Sequence, residues 1–322
     1  MLDFSHPKTY NKSRVSINVN IETERGNYMN FVMDMIKGMM IGIANIIPGV
    51  SGGTIALSMG IYDKLIGAVS NLLKDWKKSA VTLLPIALGV VLGLIGFTYL
   101  IEYLLSNHTF VTCMTFVGLI FGGLPMLFNK LKQKLASSRR SIGVSGALAF
   151  IILFAVSVSL PMLRSDNEVL RTLTATPGTM ITMFFVGIIA SATMVVPGVS
   201  GSLVLMILGY YYGILDSIKS FLEALKTFDI PALANGFLIL FPLGIGILLG
   251  IFLIAKIITF LFERYGVQTY CAILGLIISS PFAIFYNTGL FGQLKDLSIL
   301  IIIAGIIFAG VGGIFAFWLG EK

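Results

Sequence analysis

Six long apolar runs, separated by short polar and basic stretches, dominate the chain at about 81–105, 110–128, 142–163, 236–262, 269–285 and 297–319. Each is near or above the ~20 residues a helix needs to cross ~30 Å of hydrocarbon, so six transmembrane helices are expected. Two further apolar regions, about 31–66 and 180–215, are longer but interrupted. The first breaks at Pro48-Gly49-Val50-Ser51-Gly52-Gly53 and the second at Pro197-Gly198-Val199-Ser200-Gly201-Ser202. Proline lacks an amide hydrogen and glycine favours irregular backbone, so neither region reads as one continuous helix.

The two breaks are copies. A shift of 149 lays Pro197 to Gly201 on Pro48 to Gly52, Gly187 on Gly38 and Gly209 on Gly60; a shift of 157 then lays Pro242, Gly246, Gly250 and Gly275 on Pro85, Gly89, Gly93 and Gly118. The expected organisation is a polar N-terminal tail (1–30), a first membrane repeat (31–163), an outer connecting loop (164–179) and a second repeat (180–322). The glycines spaced four apart at 89, 93, 246 and 250 fit packing notches between helices better than ligand contacts.

Lysine and arginine distinguish two topologies. If each broken segment enters the membrane and returns to the same face, fifteen Lys/Arg lie inside and five outside, with Lys64 and Lys256 set aside as lying in or beside apolar segments. If each segment crosses, the balance becomes nine against eleven, and the basic loops around Lys74 to Lys78 and Lys130 to Arg140 fall outside. The positive-inside rule favours the first. Each repeat is then a re-entrant hairpin plus three spans, and the odd number of crossings inverts the second copy. The fold class expected is an all-α polytopic membrane protein of two inverted repeats, in the cell membrane, with both termini cytoplasmic. The hairpin tips then meet near the midplane.

Composition agrees: 57% of residues are hydrophobic and 11% charged, with a mean hydropathy of +0.95, far from the roughly 25% charged residues of soluble domains. The net charge of +7 resides in loops beside apolar runs, where the positive-inside rule accounts for it; no nucleic-acid partner is implied. The first thirty residues lack the short apolar core of a secretory signal. Cys113 and Cys271 fall inside apolar runs and read as small core residues. The two histidines, His6 and His108, fall in the tail and in a short loop. No paired carboxylates or metal-ligand cluster accompany them, so neither an enzyme nor a cofactor or metal site is expected.

Irregular backbone at membrane depth leaves amides and carbonyls without helical partners, which is tolerated only inside protein or beside a wet cavity. At each break the first arm is expected to end near Asn45 or Met194, and the second to start at Ser51 or Ser200 as N-caps. Helix N-termini carry partial positive charge and glycine admits a ligand to the backbone, so the facing tips form a candidate oxyanion site. Its residues are Asn45, Pro48, Gly49, Ser51, Gly52, Gly53 and Thr54 on one side. On the other stand Pro197, Gly198, Ser200, Gly201 and Ser202. Glu102, Lys256 and Tyr211 are weaker candidates, since side chains near span ends also snorkel or anchor at the interface. Asp63 and Lys64 read as a solvated pair at the mouth of the first hairpin.

Through "PGVSGG" and "PGVSGS", the "GIYDKLI" continuation and the "GLIFGGLP" helix, the sequence resembles the PopT-type polyprenyl-phosphate transporters, formerly a domain of unknown function. The likeness runs from about Phe31 to the C-terminus. It implies a flippase that carries undecaprenyl phosphate from the outer to the inner leaflet, recycling the lipid carrier of cell-wall synthesis, with Pro48 to Thr54 and Pro197 to Ser202 at the substrate. The partners expected are that lipid, the surrounding membrane lipids and a coupling proton or cation, with a homo-oligomer left open. The alternative is a secondary transporter of a small soluble anion. Gly53-Thr54 in one copy becomes Ser202-Leu203 in the other, making the two half-sites chemically unequal.

Overall fold

The computed structural model describes residues 12–47, 49–138, 141–163 and 173–321, which form helices without strands. In the first half, α1 (Lys12–Ile46), α2 (Gly52–Ser58) and α3 (Tyr62–Ser70) make up the broken region; α4 (Trp76–Asn107), α5 (Thr109–Gly122), α6 (Leu124–Ser138) and α7 (Gly143–Ser159) follow. The second half repeats the order with α8 (Pro177–Val195), α9 (Gly201–Ile207) and α10 (Tyr211–Thr227), then α11 (Ile230–Arg264), α12 (Gly266–Asn287), the single turn α13 (Leu290–Gln293) and α14 (Ile299–Glu321).

All six expected spans are present as helices. Among the described residues seven helices are long and apolar enough to cross a membrane, α8 being the seventh, or up to eight if the bent pair α9 and α10 counts as one. The 110–128 run extends to Ser137 through α5 and α6, which join at Gly123, where a Cβ would collide with Ser58. The helix α1 begins at Lys12, inside the stretch assigned to the polar tail. Between Pro7 and Pro48 no proline stops it. Residues 1–11 and most of the connecting loop, 164–172, lie outside the described residues.

Glycine determines how the helices meet. A Cβ on Gly38 would strike the Ile86 carbonyl, one on Gly42 that of Val90, one on Gly89 that of Met35 and one on Gly93 that of Met39. Residue numbers on α1 and α4 therefore rise together, and the helices are parallel. In the second half Gly187 meets Leu243, Gly246 meets Phe184 and Gly250 meets Ile188, so α8 and α11 are parallel in the same way. Close backbone approach through glycine is how membrane helices gain packing without a hydrophobic driving force between them. The notch reading of residues 89, 93, 246 and 250 thus holds.

The two halves also exchange partners. The helix α5 packs on α14, with Gly118 against Ala309 and Gly122 against Gly313; α7 packs on α12, with Gly146 near Cys271 and Gly275 against Phe150. Both pairs are again parallel. Each half therefore supplies one wall to the other, and the halves interlock instead of sitting side by side. Trp76, Tyr103, Tyr286 and Trp318 are exposed at helix ends, as an aromatic belt requires.

Candidate substrate site at the paired tips

At both breaks the chain leaves helix one residue beyond the expected point, at Ile46 and Val195, and re-enters it at Gly52 and Gly201. Gly49 and Gly198 occupy equivalent positions with φ of +85° and +83°, and Gly60 and Gly209 follow with +69° and +75°. Left-handed backbone at four matched positions makes glycine the natural occupant of each. Residue 48, the candidate Pro48, lies outside the described residues.

The tips touch. The Thr54 hydroxyl oxygen accepts a hydrogen bond from the Gly198 N–H at 2.6 Å. The Ser51 hydroxyl donates to the Val196 carbonyl at 3.4 Å, and the Tyr62 hydroxyl to the Val195 carbonyl at 3.1 Å. Gly53 completes the contact, because a Cβ there would stand 2.8 Å from the Val195 carbonyl oxygen and 3.4 Å from the Pro197 nitrogen. Both tips rest on α12: a Cβ on Gly49 would stand 2.7 Å from the Ala283 carbonyl oxygen, and one on Gly198 2.6 Å from that of Leu276. The Ser157 hydroxyl of α7 donates to the Gly198 carbonyl at 3.3 Å.

Ser51 and Ser200 occupy the N-cap positions with extended backbone, but neither side chain makes the capping bond. Ser51 bonds instead across to the second tip, and the Ser200 and Ser202 hydroxyls bond each other at 2.8 Å. The Thr54 amide is taken by the Ser51 carbonyl at 3.0 Å. The side chain of Asn45 lies over Gly52, and that of Met194 over Gly201. The same architecture thus holds a polar cover on one tip and an apolar one on the other.

Glu102, Lys256 and Tyr211 lie apart from these contacts. Glu102 is exposed near the end of α4. Lys256 is half-buried on α11 with its ammonium 5.5 Å from the centre of the Phe252 ring. Tyr211 opens α10 and packs edge-on to Tyr212. Asp63 and Lys64 do not pair with each other: Lys64 pairs with Asp34 on α1, and Asp63 with Lys130 on α6. Neighbouring side chains on a helix point about 100° apart and do not face each other, and helices packed nearby offer each an opposite charge.

Two residues escaped the sequence reading. Tyr62, 2% exposed, is the repeat partner of Tyr211, so the 149 shift that exposed the tips also points to it. Lys37, within the first interrupted apolar region, is 6% exposed on α1; its apolar neighbours in the sequence were the available signal.

Long apolar helices, notched by glycine and folded around two broken tips in the interior, define a polytopic helical membrane protein. The chain belongs to the undecaprenyl phosphate translocase-like (VCA0040-like) family, which matches residues 41–297 and so contains both tips. It is 30% identical over 255 residues to a polyprenyl-phosphate transporter of Staphylococcus aureus, covering 79% of this chain and 86% of the relative. To a polyprenyl-phosphate transporter of Vibrio cholerae it is 29% identical over 269 residues, covering 79% and 78%. No solved structure matches the chain.

Proposed function

We propose that this protein translocates undecaprenyl phosphate across the cytoplasmic membrane, from the outer to the inner leaflet, and holds the phosphate at the tips of two re-entrant hairpins that enter from opposite faces. The observation that carries the reading is the direct contact of two matched Pro-Gly-Val-Ser-Gly breaks inside the region that matches the family.

The inverted arrangement is supported by helix direction. Consecutive crossings within one half alternate, so a chain in which α5 runs parallel to α14 and α7 parallel to α12 has α4 and α11 pointing opposite ways. The returning hairpin is supported by α1 and α4, which run parallel although successive along the chain. Gly42 meets α4 near Val90 and Leu94, so α4 continues roughly ten residues, about 15 Å, past the end of α1. The Lys130–Asp63 ion pair joins the mouth of the first hairpin to a basic helix, as expected if both face the cytoplasm. With α14 running inward, both termini are cytoplasmic.

The phosphate replaces the contacts the tips make with each other. Its oxygens take the Ser51 hydroxyl from Val196 and the Gly198 amide from Thr54, while Gly52 and Gly53 let it reach the backbone. Bringing an unaided charge into the membrane faces an idealised cost on the order of 20 kcal/mol, which hydroxyls and amides on both sides offset. Inward movement of the anion also opposes a negative-inside potential at ~2.3 kcal/mol per charge per 100 mV, so a proton or cation accompanies it or the phosphate moves protonated.

The test is reconstitution. Purified protein in liposomes should move undecaprenyl phosphate between leaflets, and Ser51→Ala/Ser200→Ala should lose that activity while retaining its melting temperature. Competition by soluble phosphate, sulfate or carboxylates but not by polyprenyl phosphate would instead identify a small-anion transporter. Rates indifferent to both pH gradient and voltage would refute coupling.

A further inference from the structure

Two apolar grooves occupy equivalent places in the two halves. The first, about 370 Å³, lies between α7, α11 and α12, and its wall from α11 is formed by Ile254, Ile257, Ile258 and Leu261. The second, about 540 Å³, lies between α14, α4 and α5, with Met40 and Ile43 of α1 at its side. Its wall from α4 is formed by Phe97, Leu100, Ile101 and Leu104, each 157 positions before its counterpart in the first groove. The correspondence continues along the opposite wall, from Thr112 and Thr269 to Leu119 and Leu276, and α14 contributes Ala304 and Phe308 where α7 contributes Ala149 and Leu153.

The matched threonines in these walls turn their hydroxyls onto backbone carbonyls. Thr269 donates its hydroxyl to the Leu261 and Tyr265 carbonyls at 3.1 and 2.9 Å. Thr112 does the same to Leu104 and His108 at 3.2 and 2.9 Å. Both threonines therefore satisfy the carbonyls at a sharp helix corner and leave a hydrocarbon lining. The grooves also open toward lipid, since Ile257 and Leu100 are 52% and 48% exposed.

The first groove is continuous with the tips. Val196 and Pro197 form one end of it, and Tyr62 stands there with its ring in the wall and its hydroxyl on the Val195 carbonyl. A ligand with an anionic head at the tips and a hydrocarbon chain leaving it finds its path here. We infer that the two grooves are paired binding sites for the isoprenoid chain of a polyprenyl phosphate, one serving each leaflet; this rests on the translocation reading above. In the inverted arrangement the α11–α12 corner lies on the cytoplasmic side and the α4–α5 corner on the outer side. The chain occupies the outer groove before translocation and the inner one after it, so its tail stays in hydrocarbon at both ends of the cycle.

The test uses the full-length protein in liposomes and a polyprenyl phosphate carrying a photoreactive group on its chain, with adducts mapped by mass spectrometry. Adducts on the α11–α12 wall near Ile257 and on the α4–α5 wall near Leu100, displaced by unlabelled undecaprenyl phosphate but not by added phospholipid, are expected. Ala272→Trp and Thr115→Trp, which fill the grooves, should slow transport of undecaprenyl phosphate at least tenfold while farnesyl phosphate still competes for the headgroup site. Displacement by phospholipid would make the grooves ordinary bilayer contacts and overturn the inference. So would full activity of both filled variants, with wild-type translocation intact. If wild-type protein neither binds nor moves the lipid, the translocation reading itself falls, and the tail sites with it.

Discussion

The two broken regions share one backbone path and differ in what they bury. In the first, all seven residues of α2 are buried, Asn45 and Thr54 present polar groups at the tip, and Asp34, Lys37 and Lys64 stand along its arms. The corresponding residues of the second broken region are Met194, Leu203, Met183, Val186 and Gly213. Only Gly201, Leu203 and Val204 of α9 are buried. Matched glycines with positive φ keep the chain path the same in both. Backbone geometry is thus held in duplicate, while the Asn45 and Thr54 polar groups and the charged side chains of the arms are held once.

This contrast can be broken by substitution. The largest effect is expected at Gly53, where a valine side chain would push into the Val195 carbonyl: Gly53→Val should lower transport to about a hundredth of wild type, the scale of a ~1 Å misplacement in a binding constellation. The liposome assay measures it. Next comes Thr54→Ala, which leaves the half-buried Gly198 N–H without its partner and should cost about 1–3 kcal/mol in thermal unfolding. Leu203→Thr at the matched site of the second tip has no such bond to restore and should not compensate.

Lys37→Met makes the first broken region resemble the second, which has Val186 at the matched position. Removing a buried charge should leave the melting temperature unchanged or raised, while transport slows about tenfold, equivalent to ~1.4 kcal/mol in barrier. A variant that is slowed and equally destabilised would assign Lys37 to folding alone. The smallest effect is expected at the rim. Asp63→Asn loses an exposed ion pair with Lys130 and should change unfolding by less than about 1 kcal/mol.

Much of this was legible in the sequence because it is local. Runs of apolar residues give span positions, and Pro-Gly-Val-Ser-Gly at a fixed shift gives both breaks and the glycines whose φ is positive. What was not legible depends on partners distant in the chain. Ser51 reads locally as a helix cap but bonds a carbonyl 145 residues away. Asp63 and Lys64 read as a pair because they are adjacent, yet helix geometry sends them to Lys130 and Asp34. The exchange of α5 with α14 and of α7 with α12 leaves no periodic trace, since glycine notches look the same whichever helix fills them.

The account stands on two dead-ended hairpins reaching inward from opposite sides, and labelling of single cysteines in intact cells addresses it most directly. Cysteines placed at Asn30 and Leu73, flanking the first hairpin, should react only with reagent admitted to the cytoplasm, and those at Thr174 and Thr227, flanking the second, only with reagent outside. Reaction of either flanking pair from opposite faces would contradict the account.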